Sequence, residues 1–264
     1  MRSARTEERT MFNMIKADVY RMNRSKGMII FWLAIIGTYI IPILSRMPGG
    51  VSLGMPVTFA DDAKLDIRMM GMNFTWFFLL IIPVFVIITS DFSEKTVKNT
   101  ISSAISRKKY FFVKIVTAGL FCIGTFLLGN YLFFFINKLV NGEKYSSEIV
   151  TFTKVLVKQL PVVIAIVSLF ILVAFFVKRT AAYNAITIVT PIVYSLIAVT
   201  FYEIKATKDF AEKTLLRYEV GYMFNRLADK CSYTYRNQCI IASLLISIAA
   251  LFMAYTLFTK KEID

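Results

Sequence analysis

The chain has 264 residues, 57% of them hydrophobic, and a formal net charge of +14 with no histidine. Soluble domains average about 45–50% apolar residues, and here the excess is gathered into continuous runs of roughly 20 residues, enough to cross a hydrocarbon core. The runs argue against an ordinary soluble domain. The missing histidines remove His-based catalysis, His metal ligation and His proton relays together.

In chain order, residues 1–10 are polar and carry no pattern, and Met11 reads as a more natural start. Met11, Ile15, Val19 and Met22 then repeat at helical spacing, with Lys16, Asp18 and Arg21 off that face. A basic amphipathic stretch before a span predicts an interfacial helix over 11–26. Span one is predicted over 27–44. A loop with the turn signal Pro48-Gly49-Gly50 and three aspartates follows. Span two covers 72–90 with a kink at Pro83, and span three covers 111–137. Span four, 157–177, contains Pro161 and is separated only by Lys178-Arg179 from span five, 180–202. Residues 203–238 form a long, unusually basic segment in which Leu215, Tyr218 and Tyr222 fall at helical spacing, and span six covers 239–258. Continuous rather than alternating apolarity makes helices the reading throughout, because backbone groups in lipid must be satisfied within their own segment. The expected fold is therefore all-α, one six-span membrane domain over 1–264.

Basic residues set the expected orientation. With both termini cytoplasmic, 17 Lys and Arg fall inside and 14 outside, and seven of the outside set lie in the long 203–238 segment. Charge flanking apolar runs is a topology signal, so no nucleic-acid partner is expected. The apolar cores read as free of Asp, Glu, Lys and Arg, which argues against proton- or sodium-coupled transport and against an intramembrane protease. Mild polar residues remain. Asn130, Tyr183, Asn184 and Tyr194 are either interhelical hydrogen-bonding groups or the lining of a path for an amphipathic substrate. No phosphate-cradling loop is present: Gly49 and Gly54 have the spacing, but Met55 stands where lysine is required. Neither cofactor nor metal is expected on this chain. Cys231 and Cys239 are close enough in sequence for a disulfide, but no second pair supports a framework.

The loop after span two, 91–110, is the most informative segment. Val97, Ile101, Ala104 and Ile105 share one helical face, Asp91 or Ser93 is placed to cap the start, and Arg107, Lys108 and Lys109 close the loop at headgroup level. The pattern is a short surface helix over about 93–105, held by a span on each side. It is either a solvated inside loop or a helix that fits a groove on a cytoplasmic partner.

The acidic start, Lys95-Thr96-Val97-Lys98-Asn99, and Ser106-Arg107 followed by Tyr110 and Lys114 resemble the first cytoplasmic loop of ABC type-2 permease subunits. Residues 14–21 (Met-Ile-Lys-Ala-Asp-Val-Tyr-Arg), followed by Arg24-Ser25-Lys26, resemble the N-terminal elbow of small permeases that export, or give immunity to, lantibiotics, bacitracin and other antimicrobial peptides. The resemblance implies a plasma-membrane exporter, of bacterial type, in which two permease subunits, identical or paralogous, sit over two ATPase subunits that handle ATP and Mg. It implies that Glu94, Thr96, Lys98 and Asn99 approach the ATPase while Val97 and Ile101 pack, and that Ile15, Asp18, Tyr20 and Arg21 belong to the elbow. The cargo would be a peptide or lipid-like molecule. Rival readings are a non-transporting membrane sensor or assembly protein, an integral membrane enzyme and a passive channel.

Overall fold

The computed structural model describes residues 2–45, 64–67, 75–94, 96–102, 105–177, 179–229 and 231–260, and among them there is no strand. Helix α1 (Arg2–Arg24) leads into α2 (Lys26–Ser45). The axes of Met11–Arg24 and Lys26–Ile41 meet at 67°, so the amphipathic segment turns away from the first apolar helix. The buried side of α1 keeps most of the stripe expected from periodicity but is turned so that Val19 is left out and Asp18 included. Asp18 and Met22 are buried, whereas Val19 and Tyr20 are exposed. Asp18 was read as lying off the packed face; its burial becomes intelligible only with its partners, described below.

Helix α3 (Thr75–Val84) contains Pro83 and passes into a π-helical turn over Phe85–Thr89, then α4 (Ser90–Ser93). Proline has no N–H for the ladder and its ring crowds the carbonyl four residues earlier, so the ladder next to it is a natural place for a wider turn. The expected kink is thus a change of hydrogen-bond register. The backbone leaves helical geometry at Glu94, and α5 (Thr96–Ser102) follows as a separate seven-residue helix. Neither Asp91 nor Ser93 caps it, since both belong to the helical run that ends span two. This corrects the single helix expected over 93–105.

The remaining helices are longer than the apolar runs that announced them. Helix α6 (Arg107–Asn141) starts at Ser106, whose Oγ accepts from the Lys109 N–H, and stops at Gly142, the one described glycine with a left-handed φ, 70°. Helix α7 (Ile149–Val177) begins eight residues before the expected span, carrying Lys154 and Lys158 in its first turns. Lys114 and Lys158 both lie inside helices predicted to have uncharged cores, which corrects that reading. Helix α8 (Thr180–Glu203) and α11 (Tyr233–Lys260) complete the apolar set. Between them, the basic segment forms α9 (Lys208–Phe210), a π-helical turn over Ala211–Leu216, and α10 (Val220–Ala228), which Glu219 caps by accepting from the Gly221 N–H at 3.0 Å.

Four helices, α6, α7, α8 and α11, are long and apolar enough to cross a membrane, and the bent α1–α2 pair makes a fifth if taken as one span. The apolar stretch Phe78–Ser93 is shorter than that test requires. The central pair is α7 with α11. Cys239, Ser243, Ser247, Ala250 and Ala254 are all buried and recur every three or four residues, giving α11 a small-residue seam that lets two backbones approach. By contrast, only Tyr183, Thr187 and Ala198 of α8 are buried, and its other face leaves Ile188, Val189, Leu196 and Ile197 exposed.

The bundle has two distinguishable ends. At one end the start of α6 meets the ends of α7 and α11. Phe258, 1% exposed, lies with its ring centroid 5.0 Å from Phe175, 5.7 Å from Tyr110 and 6.0 Å from Phe111. Arg107 donates to the Thr259 carbonyl there, so α1 and the end of α11 share this end. Truncating Phe258 to alanine should cost about 3–5 kcal/mol, the usual range for a buried phenylalanine. Equilibrium unfolding in detergent measures it. At the opposite end, Asp66 accepts from the Ser147 N–H and hydroxyl at 2.9 and 2.8 Å, Asn141 donates to the Ile43 carbonyl at 3.1 Å, and Gln159 ties α7 to α10 by donating to the Phe224 carbonyl at 2.9 Å.

Candidate functional site

Four charged side chains from three chain segments meet at the first end. Asp18 and Arg21 are one turn apart on α1, Asp91 lies on α4, and Lys114 is in the second turn of α6. The Lys114 ammonium sits between the two carboxylates, 2.6 Å from Asp18 Oδ1 and 2.6 Å from Asp91 Oδ2. Arg21 bridges the same two residues. One of its nitrogens pairs with Asp91 Oδ1, and Nη2 lies 3.2 Å from Asp18 Oδ1 while donating to the Ile87 carbonyl at 3.1 Å. Tyr110, one turn before Lys114, donates its hydroxyl to Asp91 Oδ2 at 2.7 Å. The lysine and both carboxylates are almost fully enclosed, with side-chain exposures of 3% for Lys114 and 7% for Asp18 and Asp91.

Two positive and two negative charges make the cluster neutral. That is the condition under which a buried ionic group is tolerable, because each ion loses its hydration and only close, hydrogen-bonded partners offset the loss. The two carboxylates are not equivalent. Asp18 lies on α1, outside the long apolar helices, whereas Asp91 lies at the end of the apolar stretch Phe78–Ser93. Burial raises the Asp18 carboxyl above its ordinary range, and the pull of Lys114 only partly opposes it. Asp91 is equally enclosed, but it is held by Arg21, Lys114 and the Tyr110 hydroxyl together. Asp91 is therefore the anchor of the cluster. Asp18 Oδ2 and Arg21 Nε are buried without a hydrogen-bond partner among the described residues.

Helix α5 lies directly over these charges. Thr96 and Thr100 line, with Met14, Ala17 and the ionic residues, a pocket of about 180 Å³, and the Thr96 hydroxyl donates to the Asp91 carbonyl at 3.2 Å. Val97 is buried and Ile101 packs partly buried against the core, as expected of the inward face. Glu94 is exposed, while Thr96 is half-buried and faces the cluster rather than solvent. Lys98 and Asn99 sit on α5, but their side chains lie outside the described part of the structure. On α1, Ile15 is half-buried and Tyr20 exposed, with its ring 4.6 Å from the Arg24 guanidinium.

Arg21 also connects the cluster to the π-helical turn that follows α3. Its bond to the Ile87 carbonyl enters the π-helical turn, and the Ser90 hydroxyl returns to the Val86 carbonyl at 2.6 Å in the same turn. One ionic group therefore touches α1, α5, the π-helical turn over Phe85–Thr89 and the start of α6. Periodicity placed Asp18 and Arg21 on the polar side and assigned Lys114 to the loop. The available signal was a lysine one turn inside an apolar run, since such a charge demands a partner.

The four residues considered as a substrate path are not brought together. Asn130 is buried against α2, accepting from Tyr39 Oη at 3.0 Å and donating to the Phe126 carbonyl at 2.7 Å. Tyr183 is buried and donates to the Ile81 carbonyl at 3.2 Å. Asn184 is half-buried on α8. Of the four, only Tyr194 lines the apolar cleft of about 350 Å³ between α7, α8 and residues 218–220, where its hydroxyl donates to the Leu215 carbonyl at 2.8 Å. Asn130 and Tyr183 therefore bond at helix contacts, the other of the two roles considered for them. The thiols of Cys122, Cys231 and Cys239 are free, so the considered Cys231–Cys239 disulfide is not formed.

Comparison of the sequence with protein-family models gives no match, and comparison with curated proteins gives none.

Proposed function

We propose that this chain is the membrane subunit of an ATP-driven exporter, an ABC type-2 permease with six spans, whose energy comes from a separate ATPase. The observation that carries the reading is the neutral ionic cluster of Asp18, Arg21, Asp91 and Lys114 beneath α5. A short surface helix seated on a rigid, buried group that reaches two spans is suited to pass a push from a cytoplasmic partner into the bundle. A helix merely solvated between two spans has no need of that seat. The apolar stretch Phe78–Ser93 supports a span where the sequence places span two, and the 67° bend supports reading α1 as an interfacial elbow.

On this reading the end bearing α1, α5 and the end of α11 faces the cytoplasm. Two ATPase subunits bind there with ATP and Mg, and a second permease, identical or paralogous, covers the exposed apolar face of α8. The chain is not itself an enzyme. The cargo is hydrophobic or amphipathic, such as an antimicrobial peptide or a lipid-like molecule, and the apolar cleft beside Tyr194 suits it better than a polar solute. Replacing Glu94, Thr96, Lys98 and Asn99 together by alanine is expected to abolish transport, and association with a P-loop ATPase, while membrane insertion stays at the parental level. Full transport by that variant overturns the assignment. A non-transporting sensor or assembly protein would co-purify with no such ATPase.

A further inference from the structure

Glu219, which caps α10, also lines the apolar cleft beside Tyr194. The cleft encloses about 350 Å³, within the range of about 300–1,000 Å³ usual for small-molecule sites. Phe170 and Val173 of α7 and Ile186, Pro191 and Tyr194 of α8 line it, and Glu219 is the one charged residue of the described lining. Two of its hydroxyls are already occupied. That of Thr187 donates to the Tyr183 carbonyl at 2.7 Å, and that of Tyr194 to the Leu215 carbonyl at 2.8 Å.

Glu219 is 7% exposed. Its two oxygens accept from the Gly221 and Tyr222 N–H groups, which fixes the carboxylate at the start of α10. A helix N-terminus offsets only about half an elementary charge, so part of the negative charge is left over. No lysine or arginine acts on the group among the described residues, and burial raises its carboxyl above the ordinary range. Arg217, two residues away, is directed instead to Gln238 and the Tyr235 ring. The carboxylate is close enough to the Tyr194 phenol to act on it electrostatically. An enclosed carboxylate without a cation is costly, and an arriving cation removes that cost. Phe170, Tyr194 and Tyr218 add aromatic lining, and ring faces attract a cation. The complementary occupant therefore has an apolar body and a single positive group.

We propose that this cleft binds an amphipathic organic cation, with the apolar body between α7 and α8 and the positive group against Glu219. The inference gives a charge to the amphipathic cargo read for this cleft and rests on that reading. Its test asks for binding by this chain alone, so its failure leaves the ATPase partnership standing. The full-length protein in a maltoside detergent is dialysed to equilibrium against tetraphenylphosphonium, with protein-free micelles as the blank, and separately against tetraphenylborate, an anion of matching shape. Saturable binding of the cation is expected, and none of the anion. Affinity should fall about tenfold or more in Glu219→Gln, which keeps an oxygen for the capping N–H groups but removes the charge. Ile186→Trp, at an exposed position of the cleft wall, should abolish binding by filling the cleft while the carboxylate stays intact, so the test does not hinge on the cap. Ile188→Trp, on α8 but outside the cleft lining, should leave binding unchanged. Equal binding of both ions, no saturable binding of the cation, or binding that survives either cleft variant overturns the proposal.

Discussion

Replacing Asp91 by alanine is expected to destabilise the folded protein by about 3–5 kcal/mol, the cost of removing one partner from a buried ion pair. Asp91 accepts from Arg21, Lys114 and Tyr110 at once, so its loss strands two cations and one hydroxyl in an enclosed site. Asp18 still touches both cations through Oδ1, but one carboxylate is then left to balance two buried positive charges. Asp91→Asn keeps the shape and one acceptor but still leaves a net positive charge, so its loss should be smaller yet substantial. Combining Asp91→Asn with Lys114→Met restores neutrality, and the double variant is expected to be more stable than the sum of the two single losses. Unfolding in detergent, read as a double-mutant cycle, measures the coupling. Additive losses would show that the charges do not act as a unit.

Val97→Asp carries the second large effect. Val97 is 2% exposed on the inner side of α5, beside a group that is already neutral. An added carboxylate there has no free cation to meet, since Arg21 and Lys114 are engaged by Asp18 and Asp91. The least costly response is for α5 to leave its seat, because a seven-residue helix has little stability of its own. Membrane insertion and the α7–α11 pair should survive. Transport and transport-coupled ATP hydrolysis should fall to background, whereas Val97→Ile should retain most of both. Normal coupling in Val97→Asp would separate α5 from energy transfer.

Much of this architecture was legible in the sequence because apolar runs in lipid leave the backbone few choices. The short connection at 178–179 and the inward placement of Val97 and Ile101 were readable from local pattern, and the break between elbow and first apolar helix, expected after Lys26, falls at Ser25. Helix ends were not. In α7 the helix extends outward past the expected span through Lys154, because helical hydrogen bonding continues past the hydrophobic boundary wherever the side chains can reach polar surroundings. The π-helical turn was visible only as Pro83, since the residues after the proline carry no sign of which register follows.

The ionic cluster was the least legible element. Its members are spread from residue 18 to residue 114, and periodicity assigns any charged residue to the outer face by default. Asp18 is three residues from Arg21, which reads as an ordinary surface pair, and Lys114 reads as a flanking positive charge. Only their convergence turns four ordinary positions into a buried site. The basic segment before α11 was conspicuous in composition for the same reason in reverse: the excess charge was visible, but not that Arg217 and Arg226 share a pocket.

The central claim is that α5 is the seat of an ATPase partner, and site-specific photocross-linking tests it most directly. A benzophenone amino acid is introduced at Glu94, exposed at the entrance to α5, and in a separate variant at Tyr233, exposed at the opposite end of the bundle. Irradiation in native membranes, followed by mass spectrometry of the adducts, is expected to give a cross-link from position 94 to a protein bearing a P-loop, and none from position 233. Adducts to such a protein from position 233 alone, or its absence from every adduct at position 94, would contradict the account.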